Sequence, residues 1–209
     1  MSREFDALLS GTRIIPVITL HSAASAQPLA QALSDGGIRC AEVTLRTPAS
    51  EDALRAMAEH PDLVVGAGTV LDAAQAERAV EAGARFVVSP GLDTGIADRC
   101  RSLGVPYLPG TATAGELMHA LKLGRTAVKL FPAEQLGGLD LLNALAAPFT
   151  QARFIPTGGI SPERMPHYLA HPAVLAVGGS WITPAALLDS GDYDGIRRLA
   201  AQAVERSRP

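Results

Sequence analysis

The sequence is poor in lysine, cysteine and aromatic residues, and two of these shortages exclude whole classes of protein. Two cysteines, Cys40 and Cys100, are too few for a disulfide framework and lack metal-ligand spacing, so we interpret both as small buried residues. Aromatic residues make up only 4% of the chain, while Ala, Gly and Val are abundant, which favours an α/β protein over an all-β one. With 47% hydrophobic residues, disorder is not expected.

Basic clusters and long apolar runs are also missing. The formal net charge is -3 and no Lys/Arg stripe is present, so we expect a small-molecule ligand, and neither nucleic acid nor an anionic membrane as a partner. No apolar run approaches the roughly 18 residues of a membrane-spanning helix, and the first residues contain acidic side chains instead of a signal-peptide core. We therefore expect a cytoplasmic protein without a membrane segment.

Motifs for metal binding and for serine or cysteine nucleophiles are absent as well. The five histidines are scattered, and none has a spacing suited to chelation. The chain contains no GxSxG and no catalytic Cys/His arrangement. No metal ion and no cofactor are therefore expected.

Short β-type runs recur about every 20 to 27 residues, with Ala-rich helical segments between them. We predict eight strands, at residues 13–20, 40–45, 63–70, 86–90, 105–109, 127–132, 153–158 and 174–179. Helix-start signals follow several of them, at Thr47-Pro48, at Asp72 with Gln75, and at Thr113 with Glu116.

Strict alternation of strands and helices with short connections predicts a parallel sheet. Eight such units in about 200 residues favour closure into a (β/α)8 TIM barrel, with a doubly wound open sheet as the alternative. Residues 4–9 are predicted to form a short N-terminal helix before the first strand. No linker or change of composition divides the chain, so we interpret residues 1–209 as a single domain.

The second predicted strand, "AEVTLRT", alternates polar and apolar residues. Glu42, Thr44 and Arg46 share one face, and Val43 and Leu45 share the other. Taken alone, such alternation is typical of a solvent-facing strand. In a barrel the outer face must be apolar to receive the helices, so the charged face points inward, where a Glu and an Arg are costly unless they have a function.

Lysine occurs only at Lys122 and Lys129, and Lys129 interrupts the apolar run "AVKLFP". The same alternation places Lys129 and Phe131 on the inner face. Apolar surroundings and a nearby second cation disfavour the ammonium form, so the neutral amine becomes available to form a Schiff base with a ketone or aldehyde. The alternative is a structural lysine that pairs with Glu42.

Paired glycines end the seventh and eighth predicted strands, in "PTGGI" and "VGGS". Because Gly158, Gly159 and Gly179 have no side chains, an anion can approach the backbone N–H groups directly, and Ser180 adds a hydroxyl. We therefore predict a phosphate site at these two strand ends.

Three other strand ends carry weaker signals. At the end of the third strand, the Thr69 hydroxyl is placed to bind a carboxylate oxygen beside Arg46. The glycines and prolines of "VGAGTV", "VSPG" and "LPGTAT" are interpreted as ordinary turn residues. Trp181, after the eighth strand, is interpreted as a packing residue.

The fragments "EVTLRT", "VGAGTV", "SPG", "KLFPAE", "PTGGIS" and "GGSW" together resemble the 2-keto-3-deoxy-6-phosphogluconate (KDPG) aldolase family, in the same order and over nearly the whole chain. The resemblance implies a class I aldolase on a (β/α)8 barrel that is a homotrimer and needs no metal. It implies a phosphorylated keto-deoxy sugar acid as substrate, cleaved to pyruvate and glyceraldehyde 3-phosphate in the Entner-Doudoroff pathway.

The resemblance also implies roles for individual residues. Lys129 would form the Schiff base, and Glu42 would be the general acid and base. The other matched residues would bind the substrate: Arg46 and Thr69 its carboxylate, Pro90 and Phe131 its pyruvate part, and Thr157, Gly158, Gly159, Gly179 and Ser180 its phosphate end.

Two positions refine these expectations. Some relatives carry an Arg near the end of the first strand, whereas this chain has Thr19 and Leu20, so the resemblance does not extend to an anion contact there. Thr157 resembles the gluconate-type branch of the family and favours KDPG over its galactonate epimer, the alternative substrate. The related 4-hydroxy-2-oxoglutarate, which lacks phosphate, is an expected side substrate.

Two other hypotheses compete with the aldolase. A phosphate-binding isomerase or synthase would use Glu42 as a base without covalent chemistry. A phosphosugar-binding trimer without activity would not depend on Lys129 or Glu42 for any reaction.

Overall fold

Strands and helices alternate along the chain in the computed structural model, which describes residues 2–9 and 11–208. The described residues form nine short strands: β1 (Ile14–Ile18), β2 (Cys40–Thr44), β3 (Val64–Gly68), β4 (Val87–Val88), β5 (Tyr107–Leu108), β6 (Gly110–Thr111), β7 (Ala127–Leu130), β8 (Arg153–Pro156) and β9 (Val177–Gly179). They also form ten α-helices: α1 (Ser2–Leu9), α2 (Ala26–Asp35), α3 (Ser50–Ala58), α4 (Ala73–Glu81), α5 (Thr94–Leu103), α6 (Ala114–Lys122), α7 (Gly138–Ala146), α8 (Met165–Leu169), α9 (Ala185–Ser190) and α10 (Tyr193–Arg206). Short 3-10 helices span Ala23–Ser25 and Glu134–Leu136.

The strands pair in parallel throughout two sheets. β5, β4, β3, β2, β1 and β9 form one sheet in that order, and β6, β7 and β8 form the other. The α/β class with parallel strands, predicted from the sequence, is confirmed. Over residues 2–9 and 11–208, no helix is both long and apolar enough to cross a membrane.

Backbone contacts join the edges of the two sheets. β5 and β6 are separated by Pro109 alone, whose carbonyl accepts a hydrogen bond of 2.9 Å from the Lys129 N–H. Isolated parallel bridges pair Thr157 with Gly178, at the ends of β8 and β9, and Phe154 of β8 with Val174, just before β9. The predicted fifth strand is therefore wrong in extent. The chain pairs with β4 before Pro109 and with β7 after it, as far as Thr111, and Pro109 has no N–H with which to extend either ladder.

Two hydrophobic clusters lie on opposite faces of the strands. The larger one includes Val43 and Leu130 and packs the strands against the helices. The smaller one includes Cys40, the first residue of β2, and Phe5 of α1, whose ring meets the edge of Phe86 with the centroids 6.0 Å apart. The N-terminal helix predicted at residues 4–9 therefore covers the amino ends of the strands, opposite the ends that carry the predicted site residues.

Two predicted helix starts are confirmed and one is wrong. The Asp72 side chain accepts a hydrogen bond from the Gln75 N–H at the start of α4, and Thr113 and Glu116 form a reciprocal capping box on α6. Thr47 lies in the turn before α3 and donates its hydroxyl to a carbonyl just after β1 instead of capping the helix. This contact ties the β2–α3 connection to the end of β1.

Candidate active site

Lys129 lies on the face of β7 that points away from the helices. Its neighbours Val128 and Leu130 belong to the larger hydrophobic cluster. Ala127, two residues earlier and therefore on the same face as Lys129, belongs to the smaller one. This placement agrees with the alternation predicted from the sequence. Lys129 is only 4% exposed, so its amine is enclosed by protein.

Glu42 reaches the Lys129 amine from β2. Nζ lies 3.1 Å from Oε1 and 3.4 Å from Oε2 of Glu42, and both side chains are buried. The Glu42 carboxylate is therefore within hydrogen-bond distance and is a group to which a proton of the amine can pass. The sequence predicted a second cation close to the amine, whereas the charged group in contact with it is the Glu42 carboxylate. β2 presents its carboxylate to Lys129, while the cation of the same segment, Arg46, is exposed.

Two glycines of β3 make room for neighbouring side chains: Gly68 for Glu42, and Gly66 for Phe86 of the smaller hydrophobic cluster. A Cβ on Gly68 would overlap the Glu42 carboxylate and lie 2.6 Å from its Cδ, and a Cβ on Gly66 would overlap the Phe86 ring. The interpretation of these glycines as turn residues is wrong, because β3 continues through Gly68. Their spacing of two within an apolar run is the signal that could have identified them, since glycine inside a strand marks a close approach of other groups.

Phe131 borders the amine, and Pro90 packs against the strand next to Lys129. The Lys129 Nζ lies 5.2 Å from the centroid of the Phe131 ring. Gly110 is the register partner of Lys129, and the Pro90 carbonyl packs against it so closely that a Cβ at Gly110 would overlap this oxygen. The Phe131 ring therefore gives the buried amine an apolar neighbour.

Arg46 and Thr69 form a polar pair at the carboxyl ends of β2 and β3. Arg46 Nε donates a hydrogen bond of 3.0 Å to Thr69 Oγ1. Thr69 has φ of 58°, a left-handed conformation that costs of order 1–3 kcal/mol for a β-branched residue. The exposed guanidinium keeps further N–H groups that can bind a carboxylate in a bidentate manner. The side chains predicted to bind a carboxylate are thus brought together.

A cavity of about 460 Å³ extends from Arg46 and Phe131 to the glycine pairs that follow β8 and form the end of β9. Gly158 and Gly159 have φ of 104° and 74°, a region that strongly favours glycine. The buried Thr157 lies against Gly178, where a Cβ would come within 3.0 Å of Thr157 Cγ2. Around these residues the cavity wall is largely backbone, which suits an anion.

Ser180 and Trp181 complete this end of the cavity. Ser180 is exposed and lines it. The Trp181 ring crosses over Gly179, where any Cβ would overlap it, and it also packs against the larger hydrophobic cluster. Trp181 therefore packs as expected and in addition forms part of the cavity wall.

The histidines and cysteines remain apart from this cavity. Among residues 2–9 and 11–208, no group of three or more His, Cys, Asp or Glu side chains is placed to hold a metal ion. Burial raises the pKa of both thiols, that of Cys100 to about 11, and at Cys40 the charge of Glu42 adds to the effect of burial. Both cysteines are buried, as expected, and their thiols stay protonated at neutral pH.

Comparison with known sequences identifies relatives over nearly the whole chain. The model of the KDPG and KHG aldolase family matches residues 5–199. The 2-dehydro-3-deoxy-phosphogluconate aldolase of Treponema pallidum (strain Nichols) is 48% identical over 202 residues, which are 96% of this chain and 96% of that protein.

Solved structures with the same fold include two with bound ligands. The 2-keto-3-deoxy-6-phosphogluconate aldolase of Zymomonas mobilis ZM4 with 3-phosphoglycerate has a TM-score of 0.93 and 43% identity, covering 100% of this chain and 98% of that one. The KDPG aldolase of Legionella pneumophila, with pyruvate captured at low pH as a covalent carbinolamine intermediate, has a TM-score of 0.92 and 39% identity, covering 95% and 97%.

Proposed function

The chain belongs to the KDPG and KHG aldolase family and is thus a carbon–carbon lyase, and we propose that it cleaves 2-keto-3-deoxy-6-phosphogluconate to pyruvate and glyceraldehyde 3-phosphate through a Schiff base on Lys129. The observation that carries this proposal is the buried contact between Lys129 Nζ and Glu42 Oε1, at 3.1 Å. Imine chemistry needs a nucleophilic amine and a proton-transfer group within hydrogen-bond distance, and this pair supplies both. The reaction is the aldol cleavage of the Entner-Doudoroff pathway.

The first half of the reaction builds the Schiff base. Transfer of a proton from Lys129 to Glu42 along their hydrogen bond produces a neutral amine and a carboxylic acid together. The amine adds to the C2 ketone and forms a carbinolamine. Glu42, directly or through a water, then protonates the departing hydroxyl, so that water leaves and an iminium ion remains on Lys129.

The second half breaks the C3–C4 bond. The Glu42 carboxylate takes the proton of the C4 hydroxyl, the C3–C4 bond pair moves towards the iminium ion, and glyceraldehyde 3-phosphate leaves an enamine behind. Protonation of the enamine at C3 and hydrolysis release pyruvate and restore the amine. A positioned acid–base group of this kind contributes about 10² to 10⁴ in rate. The pyruvate carbinolamine in the Legionella pneumophila relative supports the covalent route.

The two ends of the cavity are proposed to hold the two anionic ends of the substrate. Arg46, with Thr69 behind it, would bind the carboxylate, while Phe131 and Pro90 enclose the pyruvate carbons. At the other end, the 3-phosphoglycerate bound in the Zymomonas mobilis relative is consistent with a phosphorylated substrate.

The backbone around Gly158, Gly159 and Gly179 would bind the phosphate, together with the hydroxyls of Thr157 and Ser180. Binding the remote phosphate helps to fix the reacting bond against the amine. We expect 4-hydroxy-2-oxoglutarate, which lacks this phosphate, to be a slower side substrate.

The proposal also covers the fold, which we propose is a closed (β/α)8 barrel. The short Pro109 link and the Thr157–Gly178 bridge support closure of the two sheets into a (β/α)8 barrel. The enclosed cluster under α1 also supports this closure over a doubly wound sheet, whose faces would both carry helices. One large hydrophobic cluster from Ile14 to Ala203 supports a single domain. The homotrimer is proposed from the family resemblance, and analytical ultracentrifugation tests it.

Borohydride trapping tests the covalent chemistry. Incubation with pyruvate and sodium borohydride should give a stable adduct by intact mass, and peptide mapping should place it on Lys129. Lys122, the other lysine, is an internal control and should stay unmodified. If the wild-type protein gives no adduct, the Schiff base is excluded and the non-covalent isomerase or synthase becomes the better hypothesis. A coupled pyruvate-release assay with KDPG, its galactonate epimer and 4-hydroxy-2-oxoglutarate then ranks the substrates.

A further inference from the structure

Glu134 connects the lysine strand to the glycine loop, residues 157–164, which runs from β8 to α8. It opens the 3-10 helix that follows β7. Its backbone N–H donates a hydrogen bond of 3.1 Å to the Gly158 carbonyl, and the N–H of Ala133 donates one of 2.8 Å to the Thr157 carbonyl. The start of the glycine loop is therefore fixed to the segment that follows the lysine strand.

The hydrogen bond from Glu134 also sets the direction of the Gly159 N–H. In a trans peptide the carbonyl and the next N–H point in opposite directions, so the Gly159 N–H points away from Glu134. Gly159 lines the cavity that holds the glycine pairs, and no residue that the structure describes accepts a hydrogen bond from its N–H. This N–H is therefore placed to donate to an anion in the cavity.

The Glu134 carboxylate holds the other end of the same loop. Its Oε1 accepts a hydrogen bond from the Tyr168 hydroxyl and lies 3.1 Å from Nε of Arg164. Arg164 is the last residue of the glycine loop, and Tyr168 lies in α8, which begins directly after it. Glu134 therefore contacts both ends of the loop, its start through the backbone and its end through the side chain.

The contact between Tyr168 and Glu134 is enclosed by protein. Tyr168 is fully buried, whereas the Arg164 side chain is half-exposed, so its ion pair with Glu134 contributes little. Burial and the hydrogen bond to Glu134 raise the pKa of the Tyr168 phenol, which therefore stays protonated and remains a donor. Gly138 leaves space for the pair, because a Cβ there would lie 3.0 Å from the Tyr168 hydroxyl. The Tyr168 hydroxyl is thus the main group that orients the carboxylate.

Glu134 also packs directly against the loop. A Cβ on Gly159 would lie 2.9 Å from the Glu134 Cβ, and a Cβ on Gly158 would lie 3.1 Å from the Pro132 Cα. Contacts as tight as these leave little room for Glu134 to shift without moving the loop. Neither Glu134 nor Tyr168 is among the residues that line the cavity, so an effect of either on the substrate must pass through the loop.

We propose that Glu134 and Tyr168 are positioning residues that fix the glycine loop for phosphate binding and so give the enzyme its preference for phosphorylated substrates. The inference rests on the proposed function, in which the loop binds the substrate phosphate. A shift of Glu134 turns the Gly159 N–H away from the phosphate, while Lys129 and Glu42 keep their places on β7 and β2. The pair should therefore affect the binding of KDPG and not the reaction of pyruvate with Lys129.

Tyr168→Phe tests the pair, because it removes the hydroxyl and keeps the buried ring. It should lower kcat/KM for KDPG about fivefold or more, chiefly through a higher KM, as the loss of one hydrogen bond that orients the loop requires. The rate at which pyruvate and borohydride form the Lys129 adduct involves no phosphate and should stay within about twofold of the wild type. Tyr193→Phe, at the start of α10 and outside the cavity lining, is the matched control and should resemble the wild type in both measurements.

Two substitutions of Glu134 separate the hydrogen bond from the charge. Glu134→Gln keeps an oxygen that can accept from the Tyr168 hydroxyl, so kcat/KM for KDPG should stay within about twofold of the wild type. Glu134→Ala removes the acceptor and should lower kcat/KM for KDPG at least as much as Tyr168→Phe does. Urea denaturation shows whether the alanine variant is folded, and the Tyr168→Phe result decides the question if it is not.

Three outcomes overturn the positioning role. Tyr168→Phe could keep wild-type kinetics with KDPG, or it could slow KDPG cleavage and pyruvate trapping equally, as a general loss of structure does. A Glu134→Gln variant as impaired as Glu134→Ala would likewise contradict the role of the hydrogen bond. If the wild-type protein itself cleaves no KDPG or gives no borohydride adduct with pyruvate, the proposed function is wrong, so the two failures are distinguishable.

Discussion

Gly68 of β3 lies directly against the Glu42 carboxylate, and no side chain at position 68 would fit beside it. A Cβ there would overlap the carboxylate, although the Gly68 backbone is ordinary strand backbone without a positive φ. Gly68 is therefore required for the space beside Glu42 and not for its conformational freedom.

Gly68→Ala should move the Glu42 carboxylate away from Lys129 and lower kcat for KDPG cleavage about 10²-fold or more. Overpacking should also lower the free energy of unfolding by about 1–3 kcal/mol. Steady-state assays and urea denaturation measure the two effects. Gly91→Ala is the control, because a Cβ there meets nothing within 4 Å. A Gly68→Ala variant with wild-type kcat would show that the position of Glu42 does not matter.

Replacing each lysine by arginine separates chemistry from charge. Lys129→Arg keeps a cation beside Glu42 but should abolish turnover and the borohydride adduct, because a guanidinium group does not deprotonate in proteins. Lys122→Arg, on the exposed surface of α6, should retain full activity. Coupled pyruvate release is the measurement. Appreciable aldolase rate in Lys129→Arg would contradict the nucleophile assignment.

Ser180→Ala tests the phosphate end of the cavity. If the hydroxyl donates to the substrate phosphate, its removal should lower kcat/KM for KDPG about tenfold, because hydrogen bonds to charged groups are worth about 1.5–3 kcal/mol. The value for 4-hydroxy-2-oxoglutarate, which carries no phosphate, should change less than about twofold. Ser190→Ala, exposed at the end of α9, is the control. Equal losses with both substrates would place Ser180 outside phosphate binding.

Glu116 should make the stability of the protein depend on pH. Burial acts to raise the pKa of its carboxyl, but hydrogen bonds from the Ala112 and Thr113 amides and the Thr113 hydroxyl outweigh it and hold the pKa below the ordinary 4.5. A lowered pKa means that the carboxylate stabilises the fold above pH 4.5, and that this contribution is lost as the pH falls through the folded value.

Glu116→Gln should therefore lower the free energy of unfolding by about 0.5 kcal/mol at neutral pH, since the group is partly exposed and glutamine preserves part of the cap. The difference from the wild type should shrink as the pH falls below 4.5. Urea denaturation at several pH values measures it, with the exposed Glu205→Gln on α10 as control. A difference that does not vary with pH would exclude the charge as its cause.

Strand alternation was enough to separate the two faces of β2 and β7, and the predicted barrel was needed to decide which face points inward. The side of a strand on which a residue lies depends only on its parity, so Lys129 could be separated from Val128 and Leu130 without knowledge of the fold. The capping box of Thr113 and Glu116 could also be predicted, because its two residues are only three positions apart in the chain. The prediction failed where neighbouring strands mattered, as at Pro109, where the chain changes from pairing with β4 to pairing with β7.

The sequence by itself therefore determined the α/β class, the separation of Lys129 from its apolar neighbours and the glycine-rich strand ends, because each depends on residues close in the chain. Only the tertiary structure decided that Glu42 meets Lys129, since 87 residues separate them and their contact depends on how separate strands assemble. It also decided that Gly68 must lack a side chain. Space between distant segments is a property of packing, which local sequence patterns do not encode.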